Sequence, residues 1–254
     1  MPPNAAKELE NVTLTGQRKT AVIVGGTLGI GAGVARLLAK IGCSRVIIFG
    51  RNEIRGAEVL ELLKRLAPSS KIDAAFVQGD LSDSKNMRAA ATALQDIAGE
   101  DGIDYLVMCQ NGVHTGTINN NADECAKSLS FAVQAISRFA LAYFLTTGGG
   151  LAPNTIVMSI CNQGQTLDDL SVDDLSLKNR VATLSKTSLF MTQSKRDSTV
   201  LDAVHEVHFH SLCKRAADDD FFEELNIRYP QYRYFSLYPG VVPIFVTSLL
   251  RVAL

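Results

Sequence analysis

The sequence predicts one α/β domain built on a doubly wound parallel sheet, and three observations lead to this fold class. The β-branched run from Val22 to Val24 has the composition of a fully buried parallel strand. A glycine-rich turn over residues 25–31 follows it and leads into a helical apolar pattern. The same alternation of apolar strand and amphipathic helix recurs along the 254 residues, of which 46% are hydrophobic, enough for a single large core.

The first strand, turn and helix form a unit suited to holding a phosphate group. Gly25 lets the chain reverse sharply, Gly29 lets backbone N–H groups approach a pyrophosphate, and Gly31 lets the helix lie close against the strand. The helix amino terminus favours the phosphate charge. The flanking strand and helix favour this site over a glycine-rich turn without a ligand. The predicted cofactor residues here are Gly25, Thr27, Leu28, Gly29, Ile30 and Gly31.

The second predicted strand, residues 44–49, ends just before Arg51 and Asn52, which we predict to contact the cofactor. At this strand end a dinucleotide-binding sheet contacts the adenosine ribose. An acidic residue would bind the ribose hydroxyls and repel a phosphate, whereas Arg51 can pair with a 2′-phosphate. Arg51 therefore favours NADP(H) over NAD, the alternative being an ordinary surface arginine. A helix ending before Pro68 follows.

The rest of the chain continues the same alternation, which implies right-handed crossovers and a Rossmann-type sheet in a single domain. The helix over residues 122–145 is apolar on several faces, so it is expected to pack against the sheet or against a partner subunit, which leaves a homo-oligomer open. The later predicted elements are strands at 74–81, 102–108, 155–159 and 233–238, and helices at 86–98 and 122–145.

The glycine turn, with Val24 before it, resembles the Thr-Gly-x-x-x-Gly-Ile-Gly signature of the short-chain dehydrogenases/reductases, and in detail the chain is most similar to the fungal branch of that family. The resemblance implies NADP(H)-dependent reduction of a small carbonyl compound or oxidation of an alcohol, with secondary metabolism as a setting. It also implies further cofactor contacts. These are Asp80 and Leu81 at the adenine, Asn111 in Cys109-Gln-Asn-Gly112, and Pro239 and Gly240 beside the nicotinamide.

The catalytic residues of that family are only partly matched. Its members use a Tyr as general acid/base, a Lys four residues later that lowers the Tyr pKa, and a Ser that holds the substrate oxygen. Here no tyrosine lies between Tyr143 and Tyr229. The family's relay Asn is also missing from the helix at 122–145, so that role is vacant or filled by another group. The candidates for a substitute proton donor are Ser159, Cys161, Lys186 and Lys195.

Two functional hypotheses follow, an NADP(H)-dependent oxidoreductase and a non-catalytic NADP(H)-binding or scaffold protein that has lost the Tyr/Ser pair. Residues 1–19 are predicted to be an N-terminal extension of the domain at 20–254. Within that domain, residues 180–212 look like an insertion and are expected to be exposed and poorly packed. The C-terminal end after Gly240 is short for the family.

Composition and residue spacing argue against several classes of partner and site. A net charge of −1 provides no basic excess for nucleic acid. The polar start of the chain, with no signal-type apolar core, predicts a cytoplasmic protein, and no stretch is expected to span a bilayer. Five dispersed cysteines predict neither disulfides nor a thiolate metal site. The three-and-two spacing of His205, His208 and His210 fits neither a helical nor a strand face, so no metal is predicted.

Overall fold

Six parallel strands form the sheet at the centre of the protein in the computed structural model, and they confirm the predicted fold class. The strands are β1 (Thr20–Val24), β2 (Arg45–Gly50), β3 (Asp73–Gln78), β4 (Ile103–Met108), β5 (Leu151–Ile160) and β6 (Arg233–Leu237). Their order across the sheet is β3-β2-β1-β4-β5-β6, the order of doubly wound dinucleotide-binding sheets. The structure describes residues 13–68, 72–112, 115–119, 128–160, 167, 169–181, 183–205 and 221–237.

The helices connect consecutive strands, as parallel pairing requires. Asn52 and Asp83 begin α2 and α3 as N-caps, with side chains that accept hydrogen bonds from the backbone N–H groups of Arg55 and Asn86. The long helix α4 contains a π-helical turn at Ala132–Ile136. The helices are α1 (Gly29–Lys40), α2 (Glu53–Leu66), α3 (Ser84–Ala98), α4 (Leu129–Thr147), α5 (Lys178–Val181), α6 (Lys186–His205) and α7 (Phe221–Arg228).

The core consists of two apolar layers, one on each face of the sheet. Alternate residues of β1 enter different layers, because successive side chains of a strand point to opposite faces. Ala21 and Ile23 pack with α1 and α2, whereas Val22 and Val24 pack with α3 and α4. Both sides of the central strands are therefore covered, which explains their continuous apolar sequence.

Helix α1 packs directly on the end of β1 because Gly31 has no side chain. A Cβ atom at Gly31 would lie only 2.4 Å from the carbonyl oxygen of Gly25. The sequence-based role of Gly31 in close packing of helix on strand thus has a geometric basis. Gly33 lies two residues further along the same helix, and there, outside the nearby helix backbone, the Arg36 guanidinium at 3.9 Å is the one contact among the described residues within 4 Å of such an atom.

The expectation that no stretch of the chain is long and apolar enough to span a bilayer is wrong for helix α4. Its 19 residues, Leu129–Thr147, meet that criterion by length and composition. However, 72% of its most apolar 18-residue stretch is buried inside the protein, where Leu141 and Leu145 have no exposed surface. Burial in the core accounts for its apolar sequence, in agreement with the prediction that this helix packs against the sheet.

The segment at 180–212 is not the exposed, poorly packed region that its composition predicted. Helix α6 buries Leu189, Gln193 and Arg196 to 3%, 0% and 0% exposure. The prediction was wrong for this helix because its buried face is largely polar and produces no apolar periodicity. The segment's status as an insertion remains a prediction, and residues 206–212 lie outside the described part of the chain.

The end of the predicted N-terminal extension belongs to the domain. The backbone N–H of Leu14 donates to the carbonyl oxygen of Ile41 at 2.6 Å, and Leu14 packs against the core layer on that side. The Lys19 ammonium bonds the Asp104 carboxylate at 2.8 Å. That hydrogen bond raises the pKa of Lys19. These contacts join the start of β1 to β4 and to the end of α1.

The packing of α1 on β1 predicts opposite effects of the same substitution at two glycines. Gly31→Ala should lower the free energy of unfolding by about 1–3 kcal/mol, because the new methyl group meets rigid backbone. Gly33→Ala should raise it by up to about 1 kcal/mol through helix propensity alone. Urea unfolding of both variants measures the difference, and equal shifts of the same sign would contradict the close approach.

Candidate functional site

A cavity of about 500 Å³ opens at the carboxyl ends of the central strands. This edge is where ligands bind in open parallel sheets, and the volume is typical of a ligand site. The cavity brings together most of the residues predicted to bind the cofactor. These are Gly25, Thr27, Leu28, Gly29, Ile30, Arg51, Asp80, Leu81 and Asn111.

The remaining predicted cofactor residues are placed differently. Gly31 supports the cavity from behind, through its packing on Gly25. Asn52 does not line the cavity among the described residues, and its side-chain oxygen instead caps α2. Pro239 and Gly240 lie outside the described residues.

Sequence reasoning missed several lining residues. Arg55 lies one helical turn beyond Arg51, a spacing that could have revealed it. Cys109 and Gln110 directly follow β4 and could have been included with Asn111. Val133 reaches the cavity from α4, and no local pattern pointed to it. The lining residues that were not predicted are Val24, Phe49, Gly50, Arg55, Gly79, Cys109, Gln110 and Val133.

The amino terminus of α1 has the properties of an anion site. Its N-cap residue is Leu28, which makes no side-chain cap hydrogen bond, and the first turn carries no acidic residue. The first N–H groups of the helix are therefore available to a ligand, with the positive end of the helix dipole behind them. Gly29 has a φ of 58°, and apart from its chain neighbours and its own helix backbone no described residue has an atom within 4 Å of where its Cβ would stand. The space beside this turn is open.

Two arginines mark the end of the cavity above β2 and β3. Arg51 follows β2 directly, and its carbonyl oxygen accepts a hydrogen bond from Gln78 Nε2 at 3.2 Å. Arg55 stands in the first turn of α2, where the helix dipole disfavours a positive charge. Asp80 lines the cavity just after β3. This end can hold an anionic group between the arginines.

The opposite end of the cavity is formed by the loop after β4 and by the π-helical turn of α4. Gln110 Nε2 donates to Ser137 Oγ at 3.0 Å, and that hydroxyl donates to the carbonyl oxygen of Val133 at 2.6 Å. Gln134 Nε2 donates to the carbonyl oxygen of Gly112 at 3.1 Å. The Gln110 Oε1 atom is buried and accepts no hydrogen bond from the part of the chain that the structure describes. A water molecule or a ligand donor would satisfy it.

The catalytic candidates are not brought together around the cavity. Ser159 lies within β5 beside Met108 of β4 and is fully buried. Lys186 is exposed at the start of α6, and its carbonyl oxygen lies against Gly116. Lys195 is half-buried in the same helix. None of these three lines the cavity as the described residues define it, and Cys161 lies outside those residues.

The described residues contain no cluster of three His, Cys, Asp or Glu side chains that could hold a metal ion. Of the three histidines considered from the sequence, His208 and His210 lie outside the described residues.

The chain matches the profile of one protein family, described as short chain dehydrogenase, over residues 19–151. This match covers just over half of the sequence. An oxidoreductase of Emericella nidulans is 28% identical over 194 residues, which cover 73% of this chain and 56% of that relative. The chain therefore spans little more than half the length of this relative.

Solved structures share the fold at low sequence identity. The Pseudomonas aeruginosa RhlG/NADP active-site complex superposes with a TM-score of 0.57 and 16% identity, over 94% of this chain and 78% of that one. An NADH-dependent reductase complexed with NAD has a TM-score of 0.55 and 16% identity, with coverages of 91% and 80%. These likenesses support the fold alone, and the two proteins hold different cofactors.

Two cysteines with described surroundings should differ sharply in reactivity. Burial raises the pKa of the Cys43 thiol to about 11, so only about one in a thousand of these thiols is ionised at pH 8. Cys109 is partly exposed in the cavity. At pH 8 iodoacetamide should therefore label Cys109 well before Cys43, as peptide mass spectrometry can measure. The control is protein unfolded in guanidinium, where both should react alike. Equal labelling of the folded protein would contradict this placement.

Proposed function

The chain belongs to the short-chain dehydrogenase family, and on this premise we propose that it is an NADP(H)-dependent oxidoreductase acting on a small carbonyl compound or alcohol. The observation that carries the proposal is the convergence of the predicted cofactor residues on one cavity at the carboxyl edge of the sheet. When bound, the nicotinamide would supply hydride chemistry. The protein supplies binding, orientation and the proton.

The centre of the cavity fits a pyrophosphate. The uncapped amino terminus of α1 offers N–H donors, and the missing side chain of Gly29 leaves room for backbone to approach a phosphate oxygen. The neighbouring helices α2 and α3 use Asn52 and Asp83 to satisfy the corresponding groups. A ligand phosphate at α1 would take the place that a cap holds in those helices.

The end above β2 and β3 fits the phosphorylated ribose of NADP(H) better than the free ribose of NAD. Arg51 and Arg55 both line the cavity there. Each guanidinium can donate two parallel hydrogen bonds to a phosphate, and the amino terminus of α2 adds favourable charge. Asp80 lines the cavity just after β3, where it can accept a hydrogen bond from the adenine amine.

Proton transfer is the step for which the chain departs from its family. A donor must approach the substrate oxygen within hydrogen-bond reach, directly or through one water. Ser159 lies near the carboxyl end of β5, and the cavity opens at this edge of the sheet. Lys186, Lys195 and Cys161 remain the other proposed donors.

A second function is favoured by the missing tyrosine. Between Tyr143 and Tyr229 the chain has no phenol for a lysine to activate. A protein with an intact cofactor cavity and no proton donor would bind NADP(H) without turning over a substrate. It would then act as a cofactor-dependent binding or scaffold protein.

One experiment separates the two functions. The purified protein is titrated with NADPH and NADH, and then incubated with NADPH and a panel of aldehydes and ketones while the NADPH absorbance is followed. Oxidation of NADPH with formation of the alcohol supports the oxidoreductase. Binding without turnover supports the binding protein, and failure to bind either cofactor overturns both.

Cofactor preference should depend on the two arginines. Arg51→Ala and Arg55→Ala should each weaken NADPH binding about tenfold or more, because each loses a charge-assisted contact of about 1.5–3 kcal/mol. NADH binding should change little. The matched control is Arg65→Ala, which removes the same charge from the far end of α2. Calorimetric titration measures all three, and equal losses for NADPH and NADH would refute the assignment.

The phosphate site should be sensitive to a single methyl group. Gly29→Ala should abolish cofactor binding, because its Cβ points into open space at the helix terminus. Gly16→Ala is the control, since Gly16 also has a positive φ, of 84°, and equally open surroundings but lies away from the cavity. Both variants should lose similar stability from backbone strain. A folded Gly29→Ala protein with parental affinity would contradict the site.

A further inference from the structure

Helix α6 contains an ion pair that is almost completely removed from solvent. The side chain of Arg196 has 0% exposed surface and that of Asp197 has 1%. Arg196 Nε donates to Asp197 Oδ1 at 2.7 Å, and a second guanidinium nitrogen reaches the same oxygen. No cofactor residue predicted from the sequence lies in this part of the chain, so the pair needs its own explanation.

The guanidinium of Arg196 joins helix α6 to two other segments of the chain, the start of α4 and the residues around Leu175. Its Nη2 atom donates to Ser128 Oγ at 2.9 Å, and its Nη1 atom donates to the carbonyl oxygen of Leu175 at 3.2 Å. The carbon of the guanidinium lies 4.4 Å from the centre of the Phe131 ring, a cation–π contact. Two of these three partners, Ser128 and Phe131, belong to the first turn of α4.

That first turn is continuous with the wall of the cofactor cavity. Ser128 is the N-cap residue of α4, and its carbonyl oxygen accepts a hydrogen bond from the N–H of Ala132 at 3.0 Å. Ala132 begins the π-helical turn, and the next residue, Val133, lines the cavity. On its other side the turn is tied to Gln110 through Ser137. A π-helical turn in a helix is frequently found at a functional site.

Stability alone gives little reason for such a pair. Removing two charges from water is costly, and apolar side chains of similar volume in their place are often neutral or stabilising. The charged pair instead fixes the orientation of the groups around it, because the planar guanidinium bonds its partners at fixed angles. The apolar side chains of Phe131, Ala135 and Val200 pack next to the pair. Uncharged side chains could therefore fill this part of the core.

We propose that Arg196 is a positioning residue for the nicotinamide end of the cavity, acting through the first turn of α4 on the π-helical wall. The inference rests on the proposed NADP(H) binding. It concerns only the half of the cavity beyond β4, because Arg51, Arg55 and Asp80 lie at the other end and are held by β2, β3 and α2. Loss of Arg196 should therefore affect one half of a bound dinucleotide.

The test compares NADPH with 2′,5′-ADP, which contains the phosphorylated adenosine half and lacks the nicotinamide. The double variant Arg196→Met/Asp197→Leu removes both charges together, so that no lone charge stays buried. It should weaken NADPH binding about tenfold while leaving 2′,5′-ADP binding within about twofold of the parent. Thr199→Val is the matched control. It removes the hydroxyl of the same helix that accepts a hydrogen bond from the N–H of Leu167 and should change neither affinity.

A purely structural role for Arg196 predicts a different result. General loosening of the domain would weaken both ligands together, and an inert pair would change neither, so either outcome overturns the proposal. If the double variant does not fold, Ser128→Ala decides the question, because it keeps the ion pair and removes the hydrogen bond from Arg196 to the start of α4, together with the bond between the Ser128 and Ser130 hydroxyls. It should then weaken NADPH selectively. A parent protein that binds neither ligand refutes the proposed function itself and this inference with it.

Discussion

Backbone packed directly on backbone is the constraint on which the cavity depends. A Cβ at Gly31 would lie 2.4 Å from the carbonyl oxygen of Gly25, and one at Gly25 would lie 2.7 Å from the N–H nitrogen of Gln110. No side chain separates the backbone of Gly31 from that of Gly25, or the backbone of Gly25 from that of Gln110. Helix α1 therefore begins close to the ends of both β1 and β4. The free N–H groups of the helix, the ends of the central strands and the loop after β4 therefore meet around one space.

The charge of the groups that line this cavity changes along its length. The middle offers the uncapped terminus of α1, whose charge is only partial and comes from the backbone. The end above β2 and β3 adds the positive charges of Arg51 and Arg55, near a helix terminus that disfavours them, and the carboxylate of Asp80, so that positive charge is in excess there. The end beyond β4 is neutral and built from amide and hydroxyl groups. A dinucleotide with its charge concentrated in the middle and at one end matches this division.

The strands, helix α3 and the glycine turn could be predicted because their signals are local. Val22 to Val24 and the glycines after them are contiguous, and parallel strand ends necessarily meet at one edge, which brings Arg51 and Asp80 together. Val133 could not be placed, because its position depends on how far α4 is rotated over the sheet. Asn52 was assigned to the cofactor although a helix start competes for its side chain. The burial of Arg196, within a segment expected to be exposed, could not be predicted, since charge in a sequence does not reveal a partner buried beside it.

The apolar length of α4 has a consequence for how the protein is made. A helix of this composition is hazardous while uncovered, since exposed apolar segments associate with one another or with membranes. The order of elements in the chain limits that exposure. Strands β1, β2 and β4 and helix α3, which share a core layer with Leu141 and Leu145, precede α4 in the sequence, whereas β5, α7 and β6 of the same layer follow it. During synthesis from the amino end, part of the surface that covers this helix has therefore already been made when the helix emerges.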